Sequence, residues 1–526
     1  MWLKTKRLLE AHPIWLLVAV CVIILPVHLA TVGEYPAAWF DEIEILEMGR
    51  FSFFNVNPHW SVNMMPGLDG TLVPPMPYFH YLSGAVIEAL YRLTGGFLCG
   101  RIFMLLSLPC CAVALYGYLR SKKVSVTAAV LVALLMLLDP NATVCAHWYR
   151  PDLWCLSFIY VAMALVVRSH KARHPYLLLI ISGALSATSV FFWITSTLLL
   201  PLVVLEFILV YREKSADASV PKAFSALCCM SAGGIAVSCL FLLPLFRYIP
   251  DIIHQYFSTS ELATMTTPGD APVVATVSRV LDFIKIACRS PFVWGAALTW
   301  IAVSRKNVIH AIFFVLMIMF MISTRVYHLR MVYLMPYLFL FMAYALDCFV
   351  VHSEKKVIGF LSCVYVSVAM SFGLVVSVVA MNYAGWPEEN TLKLFSEKLG
   401  SVVTKTTPKV CLIDYEHELY YAGRSLGWEM YSTTDRNLIF REPFADILAK
   451  MDAIVVTSAM SLSDKERQSV ISRGFLQVAK VDMPPAATGA IKSRLAGIFY
   501  AHGYPSCEVW MKSHRDSMPE EGCTHY

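Results

Sequence analysis

Apolar residues fill long blocks along most of this chain, at about 13–30, 99–119, 124–138, 153–168, 175–192, 195–211, 223–246, 290–304, 308–323, 331–350 and 357–380. Blocks this long and this poor in charge predict membrane-crossing helices. The block at 124–138 is short, and the pair over 175–211 is divided only around Trp193 and Thr195. The pattern therefore predicts a multispan α-helical membrane protein of about eleven spans. Polar stretches break it at 33–98, at 247–289 and after about 385.

Basic residues give the spans a direction. Lys4, Lys6 and Arg7 precede the first block, which reads as a retained signal anchor. Arg120, Lys122 and Lys123, then Arg168, Lys171 and Arg173, then Arg212 and Lys214, then Arg305 and Lys306, then Lys355 and Lys356 fall in alternate loops on that same side. The positive-inside bias makes that side cytoplasmic, which leaves the C-terminus outside. The outer face then holds 33–98, the connection 139–152, the loop at 247–289, the turn at 323–330 and everything after Asn382.

Within the first outer loop, Ile43, Leu46, Glu47 and Arg50 recur at helical spacing, predicting an amphipathic helix over 41–51 that lies on the membrane. Pro74-Pro75-Met76-Pro77 breaks the chain, and 78–93 reads as a second amphipathic helix. Between them, 55–69 is rich in turn formers and carries His59 and Trp60. In the 247–289 loop, Met265-Thr266-Thr267-Pro268-Gly269-Asp270 reads as a mobile segment over a site. After about 385, alternating short patterns predict a soluble α/β domain: strands at 409–415, 452–457, 475–481 and 508–512, helices at 418–426 and 464–473. The chain thus divides into a transmembrane part, 1–384, and an outer α/β domain, 385–526. That domain has no glycine-rich phosphate loop, and the chain has no internal repeat.

Composition agrees: of 526 residues, 58% are hydrophobic and 15% charged, and mean hydropathy is +0.61. A net charge of +5 gives no sign of a nucleic-acid partner. The 15 cysteines lack zinc-ligand spacing, and most sit in apolar spans as small hydrophobes. Cys411, Cys507 and Cys523 lie outside the spans, where a disulfide among them cannot be assigned from sequence. Asn141-Ala142-Thr143 is a glycosylation sequon on the outer side, but its closeness to Arg150 and the bilayer makes it read as a turn.

Candidate chemistry collects on the outer face. Asp41 and Glu42, in Ala38-Trp39-Phe40-Asp41-Glu42-Ile43-Glu44, open the first outer loop. On its own such a pair is better explained as a solvated helix start. Trp148-Tyr149-Arg150-Pro151-Asp152 adds a carboxylate and an arginine where the fourth span begins; helix entry is the ordinary explanation. Arg325, Tyr327 and His328 precede Arg330-Met331-Val332-Tyr333-Leu334-Met335-Pro336. Snorkelling accounts for interfacial cations, yet this face is the one that should be poor in arginine.

Taken in order and on one side, Phe-Asp-Glu, a later Pro-Pro, Arg-Pro-Asp before the fourth span and Arg-x-x-Tyr-x-x-Pro in a late span resemble the GT-C membrane glycosyltransferases. The resemblance covers about 1–380 and is nearest to the protein O-mannosyltransferase and lipid A aminoarabinose transferase group. It implies a polyprenyl-phosphate-linked sugar donor, a protein, lipid or glycan acceptor, and inverting hexosyl or pentosyl transfer at the outer face. Asp41 matches the family's catalytic aspartate, Glu42 accompanies it, and Asp152 matches a second acidic position. Arg150, and Arg330 with Tyr333, match positions around the donor phosphate. Val73 stands where relatives often place a basic residue before Pro-Pro, so that contact falls to His80, Arg101 or Arg325, with His328 nearby. No cofactor is required, and the residues leave room for a divalent metal without demanding one. The expected location is a plasma (inner) membrane, or the endoplasmic reticulum membrane in a eukaryote. A transporter or flippase is the main competing class. It is disfavoured because Glu206 and Asp347, the acids within spans, fall near predicted cytoplasmic ends. A non-catalytic partner subunit is the third.

Overall fold

The computed structural model describes residues 10–33, 40–54, 65–66, 72–73, 81–147, 150–212, 220–243, 246, 250, 272–304, 308–323, 328–348, 356–386, 389–405, 407–414, 419–433, 448–485, 488–499 and 503–513. Helix α1 (Pro13–Val32) starts on a proline at its first turn, where no hydrogen bond is lost. Then come α2 (Phe40–Phe54) and, after a two-residue antiparallel pair β1 (Met65–Pro66) and β2 (Leu72–Val73), α3 (Tyr81–Thr94). The bundle continues through α4 (Leu98–Ser121), α5 (Val126–Leu137), α6 (Pro140–His147), α7 (Asp152–Ser169), α8 (Pro175–Phe192), α9 (Leu200–Arg212, entered through the 3-10 turn Ile194–Leu199) and α10 (Val220–Leu242). It closes with α11 (Pro272–Ala287), α12 (Pro291–Val303), α13 (Val308–Ser323), α14 (Met335–Leu346), α15 (Lys356–Gly373) and, past a π-helical stretch at Leu374–Ala380, α16 (Met381–Ala384).

Every apolar block read from the sequence forms a helix. Among the described residues seven are long and apolar enough to cross a membrane, or up to nine if each bent pair is one span; Val308–Ser323 and Arg330–Leu346 are shorter. One bent pair explains why the block at 124–138 looked short: α5 and α6 meet at 52°. Asp139 makes the break by capping α6, its Oδ1 accepting from the backbone N–H of Asn141 (2.9 Å) and Ala142 (3.1 Å). The sequon is therefore not a turn: it lies inside α6 with Asn141 buried. In the 247–289 loop, α11 bends 104° against α12, while Met265–Asp270 lies outside the described residues.

Small residues let helices approach closely. A Cβ on Gly49 of α2 would lie 1.9 Å from the Gly84 backbone of α3, and one on Gly84 would lie 2.0 Å from the Ile45 carbonyl. Gly183 of α8 and Gly233 of α10 make the same kind of crossing. Several polar groups of the bundle pair up. His147 Nε2 and His28 Nδ1 are 2.9 Å apart, and the Asn382 amide is 3.0 Å from the same His28 nitrogen.

The C-terminal part forms a five-stranded sheet from β3 (Lys409–Ile413), β4 (Glu429–Thr433), β5 (Ala453–Thr457), β6 (Phe475–Val481) and β7 (Cys507–Lys512), in the order β4-β3-β5-β7-β6. β3 runs parallel to β4 and β5, while β7 is antiparallel to β5 and β6. The helices are α17 (Leu392–Val402), α18 (Leu419–Ser425), α19 (Asp464–Ser472) and α20 (Ala490–Phe499). Thr391 caps α17, and a reciprocal Ser463–Glu466 box caps α19. Cys411 and Cys507 are buried free thiols, and burial pushes each up to about 12. Cys523 lies outside the described residues.

Candidate active site

Helix α2 does not leave its polar face open to solvent. Ile43, Ile45 and Leu46 are fully buried, and so are the polar side chains that were to face solvent: Glu42 is 2% exposed and Glu47 6%. The reason is a cover the local sequence does not show. Helix α18 of the C-terminal part packs over α2 and α3, and its polar groups meet theirs.

The innermost of these contacts fixes Glu42. Arg101 of α4 donates to it through Nε and Nη2, each 3.0 Å from a different carboxylate oxygen. Arg101 Nη1 donates to the carbonyls of Val32 (3.1 Å) and Gly33 (3.4 Å), and the Tyr421 hydroxyl donates to Glu42 Oε1. Arg101 is itself 2% exposed. A planar guanidinium suits this fork-on-fork geometry, and the pairing offsets the cost of burying both charges. Arg101, a candidate for donor phosphate, thus has its fork occupied by Glu42, and Glu42 is a structural anchor of α2.

Two further acids, Glu88 and Glu47, complete the clamp. Arg424 Nη2 donates to both oxygens of Glu88 on α3, at 3.0 and 2.8 Å, while its guanidinium sits 3.8 Å over the Tyr91 ring. The Tyr420 hydroxyl and Arg50 both donate to Glu47. Burial pushes the Glu47 carboxyl above its ordinary value of 4.5, against the pull of Arg50 and Arg424. Tyr420, Tyr421, Arg424 and Glu88 were not among the residues singled out from the sequence. The available signal was a Tyr-Tyr pair followed by an arginine in a short helix.

Clamping fixes the start of α2. Asp41 lies on its first turn, with its backbone in the helix and its side chain outside the described part. It directly precedes the anchored Glu42.

A second cluster lies at the start of α7. Arg150 Nε donates to Asp152 Oδ2 at 2.8 Å and its Nη2 to Oδ1 at 3.4 Å; the Tyr333 hydroxyl donates to Oδ1 at 2.6 Å. Asp152 is fully buried in the first turn of α7, where a negative charge also suits the helix dipole. The Arg150 guanidinium lies 4.7 Å from the Trp193 ring centroid. Trp193, at the break between α8 and the next 3-10 turn, was legible only as a span divider. The sequence-predicted Arg150, Asp152 and Tyr333 are thus brought together. Arg330, half-buried, shares the 3-10 turn His328–Leu334 with Tyr333. The His328 side chain, Arg325 and His80 lie outside the described residues. Among the described residues no group of three His, Cys, Asp or Glu side chains converges as a metal site.

The fold is of the GT-C type seen in solved structures of ArnT. The chain is similar to ArnT from Cupriavidus metallidurans bound to undecaprenyl phosphate, at 14% identity and a TM-score of 0.56, over 96% of this chain and 99% of that one. It is similar also to the apo state of the same protein, at 13% identity and a TM-score of 0.54, over 95% and 98%. No protein-family model and no curated protein matches the sequence.

Proposed function

We propose that this chain is an integral-membrane glycosyltransferase. It moves a sugar from a polyprenyl-phosphate donor to a protein, lipid or glycan acceptor with inversion at the anomeric carbon. One observation carries the proposal: the end-to-end likeness in fold to ArnT, a protein captured with undecaprenyl phosphate.

In this reading Asp41 is the general base that takes the acceptor's proton, its backbone held by the anchored neighbour Glu42. Arg150 and Arg330 steady the departing phosphate, since arginine grips phosphate oxygens with parallel hydrogen bonds. Asp152 and Tyr333 orient Arg150, which makes Asp152 a positioning residue rather than an acid. The chemistry divides as such a transfer requires, with a base on the acceptor side and cations at the leaving group. A divalent metal, where one is used, would add charge at the phosphate.

The same reading takes all eleven apolar blocks as spans and divides the chain at about 384. It puts the C-terminal α/β domain with the active site on the extracytoplasmic face of a plasma (inner) membrane. The test is a transfer assay on the full chain in proteoliposomes, offered a panel of undecaprenyl-phosphate sugars. Release of undecaprenyl phosphate with an acceptor extract supports the proposal. Movement of the intact lipid-linked sugar between leaflets without release would make the chain a flippase instead.

A further inference from the structure

A cavity of about 1080 Å³ opens at the opposite end of the bundle, between α4, α7, α9 and α13. It is of the size that holds a ligand headgroup with part of its chain. Five of its lining residues are Arg120, Lys122, Lys123, Arg168 and Lys171. Against them, among the described residues, stands Glu206, fully buried beside the cavity and accepting from Lys122 Nζ (2.9 Å) and the Tyr118 hydroxyl (2.6 Å). Arg120 is turned inward to the Val124 carbonyl. Lys123 and Lys171 are exposed and make no ion pair among the described residues.

The cavity is walled by several helices rather than being a patch of surface lysines. Lys123 adopts a φ of +63°, a left-handed conformation that residues other than glycine rarely take. His310 lines the cavity, is 1% exposed, and lies with Nε2 3.1 Å from Glu206 Oε1, while its Nδ1 has no hydrogen-bond partner among the described residues. Val167, Leu178, Leu209, Val308 and Ile309 add an apolar wall, beside Ser121 and His170. Ile208, Leu177 and Val308 stay more than half exposed nearby, as side chains facing acyl chains would.

We propose that this cavity binds the phosphate headgroup of an anionic membrane phospholipid, with its acyl chains along the apolar wall. Cations at the mouth supply the charge attraction, and the apolar wall selects a lipid over a free anion. Glu206 acts as a positioning residue that holds Lys122 and His310 at the rim. The site is separate from the proposed sugar-transfer site and does not depend on that function.

The test uses the full-length protein in micelles doped with equal amounts of dioleoyl phosphatidylglycerol and dioleoyl phosphatidylcholine, with retained lipid read by native mass spectrometry. The wild type should retain phosphatidylglycerol and not phosphatidylcholine. The triple variant Lys123→Gln, Arg168→Gln, Lys171→Gln should bind it roughly 100-fold more weakly, from the loss of three interfacial cations. Lys123→Arg with Lys171→Arg should retain it. Equal retention of the two lipids, or wild-type retention by the triple variant, overturns the proposal. So does displacement of the lipid by inorganic phosphate at equal concentration, which would make the site one for a free anion. Should the triple variant not fold, a photoactivatable phosphatidylglycerol on the wild type decides: labelling of peptides containing 120–123 and 168–171 supports the site, and labelling elsewhere removes it.

Discussion

Arg101 holds Glu42 by two hydrogen bonds of 3.0 Å each, across 59 residues of sequence and with both side chains 2% exposed. The pair ties the first helix after α1 to the second span of the bundle. It sits one residue from Asp41, so the placement of the proposed base rests on this contact.

Breaking that pair should therefore damage folding before catalysis. Glu42→Gln leaves the Arg101 charge buried and uncompensated, at a cost of about 3–5 kcal/mol. Replacing both partners with apolar residues, as Glu42→Leu with Arg101→Met, should recover much of that loss. Thermal unfolding of the two single variants and the double variant in one detergent measures the coupling. If the three show additive losses, the pair is not an energetic unit.

The docking of α18 gives a second prediction. Arg424→Ala removes the paired donor to Glu88, and Tyr421→Phe removes a donor to Glu42. Each should raise amide exchange in 40–54 and 81–94 while leaving the sheet strands protected, because the contact joins two bodies rather than holding either together. Unchanged exchange in 40–54 would show that α2 holds its place without the cover.

How much of this was legible follows the distance between interacting residues. The apolar blocks are local patterns, and each became a helix. Four of the five strands were also legible; β4 was not, because Glu429–Thr433 is a short run that follows directly on Gly427 and Trp428 without a clear alternation. Helix α19 carried its own start signal in Ser463 and Glu466. The environment of α2 was not legible. Its periodicity gives a helix, but whether Glu42 and Glu47 face water depends on Tyr421 and Tyr420, more than 370 residues away. Local sequence thus predicted a surface helix where the fold makes a buried one.

Glu47 provides a pH dependence. An acid whose folded value is raised binds its proton more tightly when folded than when unfolded. Stability from the protonated form is then fully present below the ordinary 4.5 and falls as pH rises through the raised value. Glu47→Gln removes that titration, so the melting temperature of the variant relative to wild type should increase as pH rises from about 4.5. A difference that is flat with pH contradicts the assignment.

At the other cluster, Tyr333→Phe deletes one hydrogen bond to a buried carboxylate. Such bonds contribute about 1.5–3 kcal/mol, so Arg150 should lose its fixed orientation and donor binding should weaken by about tenfold or more. Arg150→Ala and Arg330→Ala should weaken it further, and Arg150→Lys should rescue only in part, since an ammonium lacks the planar fork. Equilibrium binding of an undecaprenyl-phosphate sugar measures all four. Wild-type affinity in both alanine variants would remove these arginines from the donor site.

The central claim rests on Asp41. Asp41→Asn keeps the shape of the side chain and removes its basicity, so folding and donor binding should persist while transfer fails. The decisive measurement is single-turnover transfer from a saturating undecaprenyl-phosphate sugar, comparing Asp41→Asn with wild type at equal amounts of folded protein. Loss of a positioned general base predicts a rate lower by about 10²–10⁴; transfer at or near the wild-type rate would contradict the account.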